Sequence, residues 1–278
     1  MHRISLLLRK ISTLLLFAYF SAGALTLGVA VYAIARLFIR DIRGRALFIR
    51  RCTSKGFRSI NAAARLLRVY RVSLEGAVPS ASEVRNTVII ANHPTLIDYM
   101  ILTSLLPENT TCVVSGRLMS GFMRHIISHM LYISNDLPLE DWSSLISPED
   151  AILIFPEGTR SSHHGWRIKF RRGASNLALR LGRDIIPLRI ECSERNYLGS
   201  GFLNLDVPER VPVISFSFGE RISVSGCLGG GTPVTLAARN LTADLEERYA
   251  AWLGTERDGA GGKAEAPAGA EGSSGERQ

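Results

Sequence analysis

Two short apolar runs constrain this chain more than any other feature. Thr87-Val88-Ile89-Ile90-Ala91 stops at Asn92-His93-Pro94-Thr95-Leu96-Ile97-Asp98, and Ala151-Ile152-Leu153-Ile154-Phe155 stops at Pro156-Glu157-Gly158-Thr159-Arg160. Short β-favouring runs that end in polar residues, Pro and Gly read as buried parallel strands opening into loops. Further strands are expected at 111–115, 131–134, 184–190 and 211–218. Helices are expected at 95–105, 118–129, 139–146 and 173–181. This alternation predicts an α/β fold, a mixed and mostly parallel sheet flanked by helices. Ligands of open α/β sheets gather outside the carboxyl ends of the strands. Both polar clusters are therefore expected over one edge of one sheet.

His93 and Asp98 are five residues apart. Inside one helix that spacing turns their side chains roughly 140° away from each other. Pro94 favours a first helical turn, so His93 is expected at the strand-to-helix junction and Asp98 in the second turn, with the imidazole folded back onto the carboxylate. Such a carboxylate fixes the tautomer and leaves the second ring nitrogen to take a proton. This is the base and its orienting acid without a neighbouring Ser or Cys, so the nucleophile is expected from a substrate. In the second cluster Arg160 is a planar fork suited to phosphate. Gly158 lets a backbone approach a ligand closely, and Glu157 accepts hydrogen bonds from hydroxyls. Together they suggest group transfer onto an alcohol that carries phosphate.

Asn-His-x-x-x-x-Asp followed by Phe-Pro-Glu-Gly-Thr-Arg resembles the glycerolipid acyltransferases, whose best-known members are the 1-acylglycerol-3-phosphate (lysophosphatidic acid) O-acyltransferases. The resemblance covers residues 85–220, and the run Phe155–Arg160 is its most specific part. It implies that His93 deprotonates the acceptor hydroxyl and that Asp98 orients it. The alkoxide then attacks an acyl thioester, on coenzyme A or acyl carrier protein, without an acyl-enzyme. It implies that Glu157, Gly158, Thr159, Arg160 and Arg117 hold the lysophospholipid, and that Asn92, Pro94, Phe155, Pro156 and Pro187 support the site. Pro187 comes from a further family block, matched by Ile185-Ile186-Pro187-Leu188. The remaining block has a basic residue, a Gly-Phe-like pair and then an Arg after a short strand. Arg117 and Gly121-Phe122 match its start, but Leu131-Tyr132-Ile133-Ser134 runs into Asn135-Asp136, with no Arg. An acceptor without phosphate, such as a lyso-ornithine lipid or an aryl-polyene-type intermediate, therefore stays open. So does a non-catalytic lipid-binding protein, although such a protein has no need of the His–Asp pair. No metal or bound organic cofactor is called for. A serine esterase is disfavoured because no Gly-x-Ser-x-Gly turn is present.

The rest of the chain gives the site a setting. Residues 1–10 form a basic N-terminus. From Ile11 to Ala35 there are 25 residues without a charge, against about 20 needed to span a bilayer. A membrane anchor over 11–39 is expected, since a signal peptide's apolar region is shorter. The resemblance adds the alternative of insertion from one face of the membrane. The net charge of +8 is concentrated: eleven Lys and Arg against Asp41 between Arg36 and Arg71 make a local +10. Residues 40–71 therefore read as a basic amphipathic helical region on anionic lipid, with Gly56 as its break point. No nucleic-acid recognition motif accompanies the charge. Positive charge denser after the apolar segment than before it places the catalytic domain on the cytoplasmic side of the cell (inner) membrane.

Residues 72–253 are expected to form the catalytic domain, entered through a linker over 72–86. Arg167, Lys169, Arg171 and Arg172 beside Trp166 and Phe170 read either as a solvated loop or as a dock for phosphate, a lipid headgroup or an acidic carrier protein. His125 and His129 stand at helical spacing but lack a third metal ligand, so packing is the simpler role. His163-His164 are expected to be exposed. Cys112 and Cys192 lie at strand-like runs and read as buried thiols. The irregular spacing of the four cysteines suggests neither a disulfide framework nor a zinc site. A last helix is expected from Thr232 as cap and Pro233 as first residue to Leu253, with Leu236, Leu241, Leu245 and Tyr249 as its apolar stripe. Residues 254–278 are expected to be disordered.

Overall fold

The computed structural model describes residues 2–116, 124, 127–138, 141–142, 146–158, 168–194, 197 and 207–254. Arg117, Thr159, Arg160, Gly121-Phe122, His125, His163-His164, Trp166 and Arg167 lie outside these residues. So do all of the tail except Gly254 and much of the helices expected at 118–129 and 139–146.

The apolar N-terminal segment is helical throughout: α1 (His2–Thr26), a π-helical stretch at Leu27–Val31, and α2 (Tyr32–Phe38). The basic start is thus part of the same helix as the expected anchor. Leu6–Phe38 is long and apolar enough to cross a membrane, and Leu7, Leu8, Leu14, Leu15, Leu25 and Val29 are exposed along it. Ile39 turns extended and ends α2. The Asp41 carboxylate then caps α3 (Ile42–Leu66) by accepting from Gly44 N–H. α3 runs unbroken through Gly56, because its tertiary contacts outweigh the weak helix propensity of one glycine. It packs on α1 through Phe20 and Phe57, with ring centroids 6.3 Å apart, and through the 2.9 Å contact between the Tyr19 and Ser59 hydroxyls.

Two arginines of this basic helix work inside the fold. Arg50 is buried, donates from Nε to Met130 O (2.7 Å) and lies 3.8 Å from Asp150. Burial lowers its pKa from the ordinary arginine value, opposed in part by Tyr132 and Asp150. Arg58 Nε donates to Ser104 O (2.8 Å) on α4 (Asp98–Leu105). The amphipathic helix is therefore docked on the rest of the fold by part of the charge that the sequence pattern assigned to lipid.

Seven strands form one sheet: β1 (Arg71–Glu75), β2 (Thr87–Ala91), β3 (Thr110–Val114), β4 (Ile133–Ser134), β5 (Ala151–Ile154), β6 (Asp184–Cys192) and β7 (Val213–Phe218). Their order is β1-β7-β6-β2-β5-β3-β4, parallel except for the antiparallel β6–β7 pair. β1 overturns the expected linker. Its alternating Arg-Val-Ser-Leu-Glu carries little apolar signal because it is an edge strand with polar residues facing water. β4 is shorter than expected, since Leu131 takes φ 52°, outside any strand.

The central strands are buried on both faces, as parallel strands usually are. Ile89 and Leu153 pack toward α1, α3 and α4. Val88, Ile90 and Ile152 pack toward α5 (Gly173–Leu181) and α6 (Val234–Leu253). α6 begins one residue later than expected, with Pro233 in the cap position. Of the two thiols expected to be buried, Cys112 is buried and pushed up to about 12 by that burial, whereas Cys192 at the end of β6 is half-buried and pushed up to about 11. His129 stacks on Tyr32, with ring centroids 3.5 Å apart. Because β2, β3, β4, β5 and β6 run the same way, Ala91, Val114, Ser134, Ile154 and Cys192 all end on one edge of the sheet.

Candidate active site

The end of β2 is held by an amide that imitates a strand. Asn92 is buried, and its side chain donates from Nδ2 to Ile190 O (2.8 Å) and accepts at Oδ1 from Ile190 N–H (2.7 Å). Deeper in the same seam sits Pro187, paired with Ile90 and lacking an N–H. The buried Tyr249 hydroxyl enters there. It donates to Ile90 O and accepts from Leu188 N–H (2.9 Å), and burial raises its pKa well above the usual phenol value. Tyr249 read as a plain apolar-stripe residue in the sequence. The proline within a strand was the available sign that a donor had to come from elsewhere.

His93 follows directly. Its Nδ1 lies 2.9 Å from Asp98 Oδ2, and its ring stacks on Phe155 with centroids 4.4 Å apart. The Asp98 side chain is fully buried. Asp98 also accepts from Thr95 N–H at Oδ2 (2.7 Å) and from the Thr95 hydroxyl at Oδ1. The two residues meet as expected, but by a different local route. Asp98 is the first residue of α4, not part of a second turn, and Pro94 precedes the helix. The Asp98 carboxylate ties residues 95–98 into a turn, and His93 reaches it across that turn. The Thr-x-x-Asp spacing is the sequence signal that lets such a carboxylate reach back to the N–H and hydroxyl three residues before it. Thr95 was nevertheless absent from the residues singled out by the motif. Among the described residues nothing bonds the second nitrogen of His93, and the ring lines an open cleft of about 300 Å³.

The second cluster joins the first through the backbone. His93 N–H donates to Glu157 Oε1 (2.9 Å), so Glu157 fixes the His93 main chain. Pro156 O accepts from Arg171 N–H (2.8 Å). Gly158 has φ 69°, and a Cβ there would lie 2.7 Å from Arg171 Nε and 2.8 Å from its Cζ. Glycine is required by both the left-handed backbone and the guanidinium lying on it. Phe155, Pro156, Gly158 and Arg171 line the cleft with His93, and Ser115 and Asn135 face them from the β3 and β4 ends. A second, apolar cavity of about 260 Å³ lies between α1, α3 and the sheet and shares Tyr99 and Val114 with the cleft. It is lined by Phe20, Gly23, Leu27, Phe57 and Ile127 among others.

Known proteins resemble this chain in sequence and in fold. The Acyltransferase family profile matches residues 71–191. acl-2 of Caenorhabditis elegans, which carries the name 1-acyl-sn-glycerol-3-phosphate acyltransferase, is 25% identical over 199 residues, covering 62% of this chain and 66% of its own. The 1-acyl-sn-glycerol-3-phosphate acyltransferase alpha of Mus musculus is 26% identical over 111 residues, covering 36% of this chain and 39% of its own. The chain thus spans between two fifths and just under two thirds of the length of these relatives. The crystal structure of the 1-acyl-sn-glycerophosphate acyltransferase of Thermotoga maritima superposes with a TM-score of 0.59 at 18% identity, covering 89% of this chain and 98% of that one. At that identity the likeness is one of fold. The profile match, the relatives and the fold agree: residues 71–191 match the Acyltransferase family, and the chain is similar in sequence and fold to 1-acyl-sn-glycerol-3-phosphate acyltransferases.

Proposed function

We propose that this protein is a membrane-bound O-acyltransferase that moves a fatty acyl chain from coenzyme A or acyl carrier protein to the hydroxyl of a lysophospholipid-like acceptor, forming phosphatidic acid from lysophosphatidic acid. The observation that carries the reading is the 2.9 Å contact between His93 Nδ1 and the buried Asp98, which leaves the second imidazole nitrogen to face the cleft. That nitrogen takes the proton of the acceptor hydroxyl. The oxygen attacks the thioester carbonyl, a C–O bond forms, the C–S bond breaks, and the leaving thiolate recovers the proton from His93. Asp98 stabilises the imidazolium between the two transfers.

The adjoining apolar cavity suits the acyl chain. The exposed apolar face of α1 suits attachment to the membrane where the lipid substrate resides, with the basic residues following the apolar segment on the cytoplasmic side. Glu157, Gly158, Thr159, Arg160 and Arg117 are proposed as the acceptor's contacts.

The test is mass spectrometry of products from an acyl thioester, on either carrier, offered to lysophosphatidic acid, glycerol 3-phosphate and lyso-ornithine lipid in anionic vesicles. Phosphatidic acid that forms with the wild type and is lost in His93→Ala is the expected result. Normal turnover by His93→Ala would sink the reading. A second acceptor class, alcohols without phosphate, is favoured by Asn135 in the cleft wall, where the family pattern carries an arginine. Transfer to lyso-ornithine lipid alone would select it.

A further inference from the structure

The cleft has two walls of different charge. At the β4 end, the side-chain oxygen Oδ1 of Asn135 is already engaged, accepting from Gly116 N–H (2.9 Å). The Asp136 carboxylate lies so close to Gly116 that a Cβ on that glycine would fall 1.5 Å from Asp136 Oδ2. Among the described residues this wall therefore offers an anion the Ser115 hydroxyl and one partly occupied amide, with the Asp136 carboxylate close behind at Gly116.

The facing wall carries Arg171. Its side chain is exposed and packs closely against Gly158. Its backbone is fixed by the bond to Pro156 O. Among the described residues its guanidinium has no ion pair or hydrogen-bond partner. Gly158 directly follows Glu157, whose carboxylate holds the His93 backbone, so this cation is built onto the loop that positions the base. A guanidinium with a fixed stem and open donors suits a phosphate monoester.

We infer that Arg171 is a specificity-determining residue of this site, receiving the phosphate headgroup of the lysolipid acceptor on the wall opposite Asn135 and Asp136. The inference rests on the acyl-transfer reading for the identity of the acceptor. It assigns the acceptor's charge to a residue outside the two motifs and accounts for the absence of an arginine after β4.

The experiment is equilibrium binding of radiolabelled lysophosphatidic acid, and of monoacylglycerol with the same chain, to the full-length protein in detergent, alongside turnover. Arg171→Gln is expected to weaken lysophosphatidic acid binding by about tenfold or more, the size of one charge-assisted contact, and to leave monoacylglycerol binding unchanged. In turnover the loss appears in KM and not in kcat. Arg171→Lys, which keeps the charge but not the fork, is expected to fall between. Equal losses for both lipids, or none for either, overturn the inference, and a melting curve matching wild type excludes misfolding as the source of a loss. Turnover that needs His93 while binding ignores Arg171 overturns the inference and leaves the acyltransferase reading standing. Arg171-dependent binding without His93-dependent turnover does the reverse.

Discussion

The backbone N–H of His93 donates to Glu157 Oε1 over 2.9 Å, which fastens the loop after β2 to the loop after β5. The two motifs are separate in sequence but mechanically one piece. Glu157→Gln keeps an oxygen in the same place and is expected to retain most of the rate. Glu157→Ala removes the acceptor of a half-buried N–H, at a cost of ~1–3 kcal/mol. It also frees the base to drift, and a shift of about 1 Å is enough to lose roughly 10²-fold in rate. Steady-state kcat for the pair checks this. Equal loss in both variants would mean that the carboxylate charge itself is needed.

Asp98→Asn is expected to reduce kcat by on the order of 10³–10⁴, the scale seen when an orienting acid loses its charge and the imidazole takes the wrong tautomer. Thr95→Val leaves the Thr95 N–H bond to Asp98 intact and removes only the hydroxyl bond, so its loss is expected to be about tenfold. Rates for both variants, beside circular dichroism to verify the fold, distinguish them. A Thr95→Val enzyme as impaired as Asp98→Asn would contradict this ordering.

Tyr249→Phe strips the seam between β2 and β6 of the hydroxyl shared by Ile90 O and Leu188 N–H. Both groups are buried, and the penalty is expected to be ~1–3 kcal/mol. Thermal unfolding should show it as a fall of about 2–4 °C per kcal/mol. Because Ile90 lies three residues before His93, kcat should fall as well. An unchanged melting curve would show that water or a backbone shift replaces the hydroxyl.

Gly23 lines the apolar cavity, and nothing lies within 4 Å of a Cβ built there. Gly23→Leu therefore enters open space in a helix, where replacing glycine gains up to ~1 kcal/mol. If the acyl chain occupies this cavity, a medium-chain thioester should gain on a long-chain one in direct competition, with the total rate preserved. An unaltered product ratio would place the chain elsewhere.

Much of this fold was legible in the chain because its strongest signals are local. β2 and β5 are continuous apolar runs since both sheet faces are covered, and the residues that follow them can only be loop. α5 matches its expected span for the same reason, a clear apolar period followed by Gly182 in the left-handed cap. The His93–Asp98 contact was legible because the partners are five residues apart.

Other features depended on residues distant in sequence. β1 becomes a strand only when β7, more than a hundred residues later, supplies its partner. The direction in which Arg50 and Arg58 point is set by carbonyls at Met130 and Ser104, so charge alone read them as facing lipid. Asn92 bonds Ile190, Tyr249 completes the gap beside Pro187, and Arg171 lies on Gly158. In each case a polar group needs a partner or an open approach that sequence spacing does not encode. The sequence by itself determined the strand-loop units and the chemistry at their tips. The tertiary structure decided which tips meet and which side chains hold them, because hydrogen bonds and close contacts between distant segments form only once the sheet has brought those segments together.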